Sequence, residues 1–449
     1  MMREAAFKLL PAPKRISLGG KRVLVLGLGD TGLSVARWVE HEGGKVRVAD
    51  TRPSPPRRKE FAGELHTGPF SPQLLAGIDL VCISPGLSLA DPLLAAATGK
   101  GIPIVGDVEL FAWQNSIKVL AITGTNGKTT VTALTGHLLR RAGIDCEVAG
   151  NIGPPVLDAR LGRGAPPAVW VLELSSYQLE TTWSLAPEAA TVLNLSEDHL
   201  DRYASLGEYA AAKARIFGGA RAQVLNRDDA ATMAMARPGS QAVSFGLDAP
   251  ARETDFGLRG GRLFRGRTPF LDAGELKIHG AHNVANALAA CALASTVDAS
   301  LAAMASGLKS FKGLPHRVEL VATRGAVEWY DDSKGTNVGA TIAALQGLAK
   351  PTVLILGGEG KGQDFAPLAA PVAKFARAVL LIGRDAPIIE KIVPGERCAS
   401  LEQAVQRAAR LARPGDAVLL SPACASFDMF RDYKHRGEVF AAAVRGLPA

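Results

Sequence analysis

The stretch IKVLAITGTNGKTT, residues 117–130, decides the fold of this chain. Its first half is apolar and rich in β-branched residues, which predicts a buried strand over residues 119–123. A glycine-rich turn follows, and apolar residues at helical spacing begin at Val131. Backbone N–H groups in such a turn, together with the helix N-terminus, hold phosphate oxygens. The segment therefore predicts a strand–loop–helix unit that binds a nucleotide.

The turn is a shortened variant of the phosphate-binding loop motif. The standard spacing asks for a glycine five residues before Gly127, and this chain has Ile122 there. In the motif the lysine, here Lys128, meets the β- and γ-phosphates, and the hydroxyl of Thr129 binds Mg²⁺. The alternative is a tight strand–helix turn with a lysine at the surface. The candidate phosphate-binding residues are Gly124, Thr125, Asn126, Gly127, Lys128, Thr129 and Thr130.

The same order of strand, glycine-rich turn and helix recurs on both sides of this unit. It appears in KRVLVLGLGDTG, from Lys21, and in KPTVLILGGEGKG, from Lys350. Strands that alternate with helices form βαβ units and parallel sheets. We therefore predict an α/β protein with three α/β domains in series. They are a Rossmann-like first domain (residues 1–108), a P-loop central domain with a parallel sheet (109–313) and a Rossmann-like C-terminal domain (314–449). Residues 248–277 alternate and are rich in turn formers, which predicts a small β excursion.

The composition is that of an ordinary soluble globular protein. Hydrophobic residues make up 47% and charged residues 21% of the 449 residues, which excludes disorder, collagen and coiled coil. The net charge of +8, from 51 basic and 43 acidic side chains, is mild and suits an anionic small substrate as well as a polyanion. The basic residues do not cluster beyond residues 57–59, so we expect no nucleic-acid partner.

The cysteines and the apolar runs indicate the compartment. Five cysteines, at positions 82, 146, 291, 398 and 424, are an odd number without a CxxC pair. They predict neither a disulfide framework nor a zinc site, and they favour a reducing compartment. The N-terminus lacks a signal-peptide core, and no run reaches the ~18 apolar residues of a membrane span. We expect a cytoplasmic protein without membrane insertion.

The first glycine-rich turn, residues 27–32, matches a dinucleotide-binding fingerprint. Asp50 ends the next predicted strand about twenty residues later, where the fingerprint requires an acidic side chain. On its own this pattern suggests NAD and redox chemistry. The glycines also allow the approach of any nucleotide diphosphate, and Asp50, Thr51 and Arg52 can hold a uridine or a ribose equally well. Both interpretations stay open at this point.

Carboxylates follow two predicted strands of the central domain. Glu173 ends the apolar run 168–172, and burying its charge costs several kcal/mol unless a cation or hydrogen bonds compensate. A second run, residues 190–195, leads into Glu197, Asp198 and His199. Strand C-termini in such sheets are where ligands bind. Glu173 and His199 can both ligate magnesium, although carboxylate is the usual ligand of this ion. For Glu197 and Asp198 the alternative is charge that complements a helix dipole.

Lys213 lies within a predicted amphipathic helix. Ser205 and Glu208 predict a capping box at its start. Helical spacing then places Tyr209, Lys213 and Ile216 on one face. A lysine on an apolar face either snorkels to solvent or is buried for a special role, and the pattern leaves both open.

Three later segments also carry candidate site residues. Asn283 and Asn286 lie three apart on a predicted helix, where they can bind a base or simply contact solvent. Asp332 follows the strand predicted over residues 326–330, and the segment SPACASFD follows the strand predicted over 417–420. Cys424 has no histidine near it in the sequence to act as a base, so small-residue packing is favoured over a nucleophile.

Taken together, these segments resemble the Mur ligases, the ATP-dependent amino-acid ligases of peptidoglycan precursor synthesis. The resemblance covers nearly the whole chain from about residue 20. In the first domain it is carried by GLGDTGLS, DTR, SPG from Ser84 and GDVELF from Gly106. In the other two it is carried by GTNGKTT, GNIG, ELSSYQL, NLSEDHLDRY, GAHNVANALAA, GLPHRVE, DDSKGTN and SPACASFD.

The resemblance implies a reaction with three substrates. ATP phosphorylates the alanyl carboxylate of UDP-N-acetylmuramoyl-L-alanine, and the amine of D-glutamate displaces the phosphate with Mg²⁺ as cofactor. Two other interpretations remain. One is a ligase for another amino acid, L-glutamate included, or for a folate-like acceptor, against which the UDP-type first domain and SPACASFD argue. The other is a non-catalytic nucleotide- or NAD-binding protein. Resemblance to the family favours a monomer.

The resemblance also implies roles for single residues. The catalytic residues are Lys128, Glu173, His199 and Lys213, the last being carbamylated, and the magnesium ligands are Thr129, Glu173, His199 and Lys213. Asn283, Asn286, Arg317 and Asp332 surround ATP. The UDP-substrate is held by Asp30, Thr31, Asp50, Thr51, Arg52, Ser84, Pro85, Gly86 and Asn151. D-glutamate is received by Lys334, Thr336, Lys361, Ser426 and Tyr433. Two residues depart from the family's pattern, since Tyr433 replaces a frequent Phe and Asp30 a frequent apolar residue.

Overall fold

A computed structural model describes residues 10–198, 202–278 and 280–448 of the chain. The predicted metal ligand His199 lies outside these residues. Three sheets follow one another along the described chain, each with helices between its strands, so the predicted α/β class is confirmed. None of the helices in this described part combines the length and the apolar character that crossing a membrane requires.

The first sheet has five parallel strands in the order β3-β2-β1-β4-β5. The glycine-rich turn that the sequence singled out connects its middle strand to the first helix. The elements are β1 (Arg22–Leu26), α1 (Asp30–His41), β2 (Lys45–Asp50), β3 (Glu64–Thr67), β4 (Leu80–Ile83), α2 (Pro92–Gly99), β5 (Ile104–Val105) and α3 (Asp107–Gln114).

The second sheet has nine strands in the order β14-β13-β12-β11-β10-β9-β6-β8-β7. Its last three strands in sequence pair antiparallel, which confirms the predicted β excursion. The elements are β6 (Lys118–Thr123), α4 (Lys128–Arg141), β7 (Cys146–Gly150), α5 (Val156–Leu161), β8 (Val169–Glu173), α6 (Ser176–Glu180), β9 (Ala189–Val192), α7 (Leu206–Ala214), β10 (Ala222–Asn226), α8 (Ala230–Met233), β11 (Gln241–Phe245), β12 (Phe256–Arg259), β13 (Arg262–Arg265), β14 (Thr268–Asp272), α9 (Ala281–Ser295) and α10 (Leu301–Ser310).

The third sheet has six strands in the order β15-β16-β20-β17-β18-β19, with the first pair antiparallel. Its elements are β15 (Glu319–Arg324), β16 (Val327–Asp331), α11 (Val338–Leu348), β17 (Thr352–Gly357), α12 (Ala369–Phe375), β18 (Ala376–Ile382), α13 (Ala386–Glu390), β19 (Glu396–Arg397), α14 (Leu401–Leu411), β20 (Ala417–Leu420) and α15 (Tyr433–Arg445). Single 3₁₀ turns occur at Arg58–Glu60, Pro72–Leu75, Arg215–Phe217, Ala273–Glu275 and Ala366–Leu368.

Strand β6 carries the predicted phosphate loop into the middle of the central sheet, between β8 and β9. Apolar residues of α4 and of the alanine-rich α9 pack with β6 in one buried core, which includes Leu120, Ile122, Val131 and Leu134. The predicted apolar face of the loop helix is therefore confirmed. Parallel strands present their C-terminal ends at one edge, so the residues after β6, β8 and β9 meet there.

The strand predicted over residues 190–195 is shorter than expected, because β9 ends at Val192. Asn194 leaves the sheet to hold the phosphate loop. Its carbonyl accepts from the Thr125 N–H at 3.0 Å, and its Oδ1 accepts from the Asn126 N–H at 2.8 Å. Its Nδ2 donates to the Asn126 carbonyl at 3.0 Å. The Asn194 carbonyl, which would have extended the strand, is used by the loop instead.

Helix α3 links the first sheet to the central one, and the carboxylate of Glu109 in its first turn fixes this helix to the segment after α6. Glu109 is fully buried, and it accepts hydrogen bonds from Trp113 Nε1 at 2.9 Å, from the Trp183 N–H at 2.6 Å and from Ser184 Oγ at 2.5 Å. One apolar core runs through this junction. The predicted boundary at residue 108 falls inside α3, and both domain boundaries stay predictions.

We expect Glu109→Ala to lower the free energy of unfolding by about 3 kcal/mol or more, because buried donors lose a charged acceptor. Chemical denaturation followed by intrinsic tryptophan fluorescence measures this. Glu40→Ala, at an exposed position of α1, is the control and should change stability by less than about 0.5 kcal/mol. Equal effects of the two substitutions would contradict the role of Glu109 in the junction.

Candidate active site

Gly127 lets the loop enter helix α4 and approach a neighbouring helix. It is the N-cap residue of α4 with φ of 81°, a left-handed conformation that favours glycine. A Cβ atom at this position would lie 2.6 Å from Oδ1 of Asn286. Asn286 in turn donates to Asn283 Oδ1 at 3.1 Å. The two predicted asparagines therefore lie together against the phosphate loop.

Two lysine amines converge on one carbonyl oxygen of the loop. Lys128 Nζ donates to the Gly124 carbonyl at 2.9 Å and to the Thr125 carbonyl at 2.8 Å. Lys213 Nζ donates to the same Gly124 oxygen at 2.9 Å. Burial lowers the pKa of both amines, and the positive charge of Lys128 helps to lower that of Lys213 well below its ordinary value.

Lys213 is buried rather than snorkelling, since only 1% of it is exposed. Its amine lies 4.5 Å from the centroid of the Tyr209 ring, and Tyr209 and Ile216 are buried beside it as the helical spacing predicts. The start of α7 differs in one detail from the predicted capping box. Ser205 Oγ accepts from the Glu208 N–H, but the Glu208 carboxylate accepts from the Ala204 N–H instead of the Ser205 N–H.

Glu173, at the end of β8, presents an unpaired oxygen to this site. The residue is 1% exposed, and its Oε1 accepts from Asn151 Nδ2 at 2.7 Å. Its Oε2 has no hydrogen-bond partner among the described residues. A buried carboxylate oxygen in this state costs free energy unless a cation meets it. The donor set, with the Thr129 hydroxyl and Glu173 on adjacent elements, fits a hard cation such as Mg²⁺.

The third domain contacts the phosphate loop directly. Arg317 Nη2 donates to Thr129 Oγ1 at 2.5 Å. The neighbouring His316 is held by Asp331, whose Oδ2 lies 2.7 Å from its Nδ1, and this hydrogen bond raises the pKa of His316. Asn337 Nδ2 donates to Asn126 Oδ1 at 3.1 Å. The third domain thus contacts the loop at two positions, Asn126 and Thr129.

Two adjoining cavities lie between the central and third domains. The larger, of about 360 Å³, has walls from the predicted residues Thr125, Asn126, Gly127, Lys128, Thr129, Asn151, Glu173, Lys213, Arg317, Lys334, Thr336, Lys361 and Tyr433. The smaller, of about 180 Å³, shares part of this wall and adds Thr130, Asn283, Asn286 and Asp332. The structure therefore brings together most of the residues that the sequence predicts for the nucleotide and the amino acid.

Two ionisable side chains on the third-domain side of the site have shifted pKa values. Burial raises the pKa of Asp332 to about 7, although Ser421 Oγ donates to its carboxylate at 2.7 Å. Burial, with the nearby charge of Arg317, lowers the pKa of Lys334 to about 8. The Lys334 amine lies 4.0 Å from the centroid of the Tyr433 ring. Ser426 is buried, and it is not part of either cavity wall.

The predicted first-domain residues surround the turn after β1, apart from both cavities. Asp50 Oδ2 accepts from the Leu28 N–H at 2.7 Å and from Arg52 Nη2 at 2.6 Å. Burial alone would raise the pKa of Asp50, but these hydrogen bonds outweigh it and lower the pKa to about 2. Asp30 is paired with Arg57 at 2.6 Å on the surface. Around the same turn lie Thr31, Thr51, Ser84, Pro85 and Gly86.

Sequence reasoning missed three residues that hold the site. Asn194 and Asn337 bond the phosphate loop, as described above. Arg436 is fully buried and donates to Ser333 Oγ at 2.9 Å and to the Cys424 carbonyl at 3.1 Å, which ties the two predicted third-domain segments together. Asn194 had a signal, since it is a polar residue inside the otherwise largely apolar run of residues 190–195. Arg436 has none, because it lies in a segment rich in charged side chains.

Family models match three consecutive parts of the chain. They are described as "Mur ligase MurD-like, N-terminal domain" over residues 21–106, "Mur ligase middle domain" over 122–294 and "Mur ligase, glutamate ligase domain" over 316–424. The chain belongs to the Mur ligase family. The predicted resemblance is confirmed, and the three matches coincide with the three sheets of this Mur ligase.

Relatives of this Mur ligase align over nearly their full lengths. UDP-N-acetylmuramoylalanine--D-glutamate ligase of Thiobacillus denitrificans is 55% identical, with 97% of this chain and 98% of the relative covered. The protein of the same name from Nitrosospira multiformis is 54% identical, with 97% of each covered. Among solved structures, UDP-N-acetylmuramate-alanine ligase from Thermotoga maritima shares the fold, with a TM-score of 0.61, 20% identity and coverage of 94% and 99%.

We expect the stability of this Mur ligase to depend on pH through Asp332. Between the ordinary pKa of about 3.8 and the raised value of about 7, the folded protein holds a proton that the unfolded chain releases. The stabilising contribution is therefore fully present below the ordinary pKa of about 3.8, and it is lost progressively as the pH rises to about 7. Relative to Asp332→Asn, the wild type should lose about 3 kcal/mol between about pH 5 and about pH 8. Parallel denaturation curves measure the difference, and a constant difference would contradict the raised pKa.

Proposed function

We propose that this Mur ligase joins D-glutamate to UDP-N-acetylmuramoyl-L-alanine while ATP is converted to ADP and phosphate. One observation carries the proposal, namely the meeting of a phosphate loop, a buried carboxylate with one unpaired oxygen and two buried amines at a cavity that the third domain closes. Relatives that are named as ligases of these substrates support it. We further propose that the protein acts as a cytoplasmic monomer.

The loop, Thr129 and Glu173 are the groups that would hold ATP and Mg²⁺. Backbone N–H groups at the start of α4 face the phosphates, and Glu173 Oε2 is the buried oxygen that lacks a partner in the described chain. Mg²⁺, when bound, neutralises the charge of the phosphates. His199 remains a predicted ligand. Asn283, Asn286 and Asp332, in the smaller cavity, would hold the base and the ribose.

Carbamylation of Lys213 is part of the proposal. Its lowered pKa favours the neutral amine, whose lone pair attacks the carbon of CO₂ and forms an N–C bond with loss of a proton. The product is an anionic carbamate in place of an amine that can carry a positive charge. This removes the repulsion between two amines that share the Gly124 carbonyl and supplies a further oxygen ligand for the metal.

The chemical step needs charge neutralisation more than covalent help from the protein. A carboxylate oxygen of the alanyl group attacks the γ-phosphorus, and ADP leaves. The amine of D-glutamate then attacks the acyl carbon, and phosphate leaves as the amide forms. Lys128 and Arg317 would stabilise the charge on the transferred group. To do so, the Lys128 amine has to exchange the Gly124 and Thr125 carbonyls for phosphate oxygens.

The remaining candidate residues fit the two organic substrates. Lys334 and Lys361, with Thr336, place cationic and hydroxyl groups in the wall of the larger cavity, where a dicarboxylic amino acid can bind. Tyr433 packs against Lys334, and Ser426 remains a predicted contact. Asn151 would contact the acceptor. The turn after β1 would take the uridine diphosphate, with Asp50 holding the turn rather than a ribose, which weakens the NAD alternative.

We expect ATP-dependent phosphate release with UDP-N-acetylmuramoyl-L-alanine and D-glutamate, and none above background with L-glutamate, meso-diaminopimelate or L-lysine. A coupled phosphate assay and the mass of the product measure this. The matched control is Lys128→Ala, which removes the loop amine and should abolish release. Release with L-glutamate alone would keep the mechanism and contradict the proposed substrate, and an active Lys128→Ala variant would contradict the mechanism.

For Lys213→Ala we expect activity near background that short carboxylic acids such as acetate partly restore, because they can occupy the space of the carbamate. Rates with increasing acetate measure the rescue, and intact-mass analysis of the wild type under bicarbonate measures the added group. Lys213→Arg is the matched control, since it retains the cation but cannot be carbamylated. Full activity of Lys213→Ala without acetate would contradict the proposed carbamate.

A further inference from the structure

Asn337 uses both ends of its side-chain amide. It is the N-cap residue of α11, and its Oδ1 accepts from the Ala340 N–H at 2.9 Å. Its Nδ2 points the other way and donates to Asn126 Oδ1 at 3.1 Å, with Asp198 Oδ2 at 3.4 Å. The residue is 8% exposed. One side chain therefore caps a third-domain helix and bonds the central domain.

The partners of Asn337 belong to the two central-domain segments that form the site. Asn126 lies in the phosphate loop, and Asn194 already fixes its main chain. Asp198 ends the described part of the segment after β9. The first turn of α11 packs closely here, since a Cβ atom on Gly339 would lie 3.3 Å from Asn126 Nδ2. A displacement of α11 would therefore move Asn337 Nδ2, which is hydrogen-bonded to the loop at Asn126.

Asn337 also adjoins the proposed amino-acid pocket. Thr336, its neighbour in the chain, and Lys334 lie in the wall of the larger cavity together with it. The Lys334 N–H donates to the His316 carbonyl at 3.2 Å, which places this segment beside Arg317. The segment that would contact D-glutamate is therefore one residue away from the contact with the phosphate loop.

We propose that Asn337 is a positioning residue that couples closure of the third domain to the arrangement of the phosphate loop. This inference rests on the proposed function. When α11 is seated, the amide of Asn337 fixes the Asn126 side chain; when the third domain moves away, the loop loses this hydrogen bond. Phosphoryl transfer then becomes fast only with the third domain closed on the loop.

A purely structural role as a helix cap makes different predictions. Serine is an N-cap in this protein at Ser205, Ser300 and Ser400, so Asn337→Ser retains the cap and removes the amide donor. Asn337→Asp retains the cap and the size but places a carboxylate oxygen opposite Asn126 Oδ1 and Asp198. If Asn337 served only as a helix cap, both variants would behave like the wild type, because both retain the cap.

The kinetic test measures kcat and KM for ATP and D-glutamate in wild type, Asn337→Ser and Asn337→Asp. We expect kcat to fall about tenfold for serine, the equivalent of one hydrogen bond, and about a hundredfold for aspartate, with midpoints of thermal unfolding near that of the wild type. Ser400→Ala, which removes an N-cap on α14 away from both cavities, is the control and should leave kcat unchanged. Wild-type kcat in both Asn337 variants would overturn the inference.

Hydrogen exchange gives a readout that does not require the reaction. In both variants we expect faster exchange of amides in residues 122–131, while residues 338–348 keep the protection of the capped helix. Unchanged exchange in the loop, or faster exchange confined to α11, would overturn the inference. Absence of phosphate release with D-glutamate in the wild type would overturn the proposed function instead, and the exchange experiment would still decide whether Asn337 holds the loop.

Discussion

The carbonyl oxygen of Gly124 is the point on which the site depends, because two buried lysine amines donate to it. Neither Lys128 nor Lys213 has a carboxylate as its hydrogen-bond acceptor in these contacts, and burial opposes the charge on each. Keeping two charged amines buried in this way costs free energy unless anionic groups bind beside them. The fold offers Glu173 as one of them, with one oxygen held by Asn151. The apolar packing of β6, α4 and α9 holds the strand and helix that flank Gly124.

The third domain completes the surroundings of the loop with polar rather than apolar contacts. Arg317 reaches Thr129 and Asn337 reaches Asn126, and each bond is a single hydrogen bond that ligands can replace or reinforce. At the other junction the first and central domains share one apolar core, and a fully buried carboxylate holds the linking helix α3. Weak polar contacts suit a domain that moves, whereas a buried charged acceptor with several donors suits one that does not.

Most of the fold and many site residues could be predicted from the sequence, for physical reasons that differ between elements. Strand β20 had the predicted bounds, because the polar residues on each side of its apolar run mark where the strand begins and ends. Strand β9 was predicted too long, since the order of residues does not indicate that the Asn194 carbonyl accepts from the phosphate loop. The apolar face of α7 indicated that Lys213 is unusual, but its burial depends on packing against Thr123 and Gly124, which lie far away in the chain. Arg436 and Asn337 could not be found, because their partners lie far away in the chain.

The junction at Glu109 has a further consequence for the acceptor substrate. Since the first and central domains share one core, the spacing between the turn after β1 and the phosphate loop is set by the fold rather than by the ligand. The two domains therefore hold these two binding segments at a fixed distance from each other. A nucleotide-linked acceptor can bring its carboxylate to the loop only if the atoms between its diphosphate and that carboxylate have the matching length. Under the proposed function, selection of the acceptor is therefore geometric, because the shared core fixes the distance that the acceptor has to span.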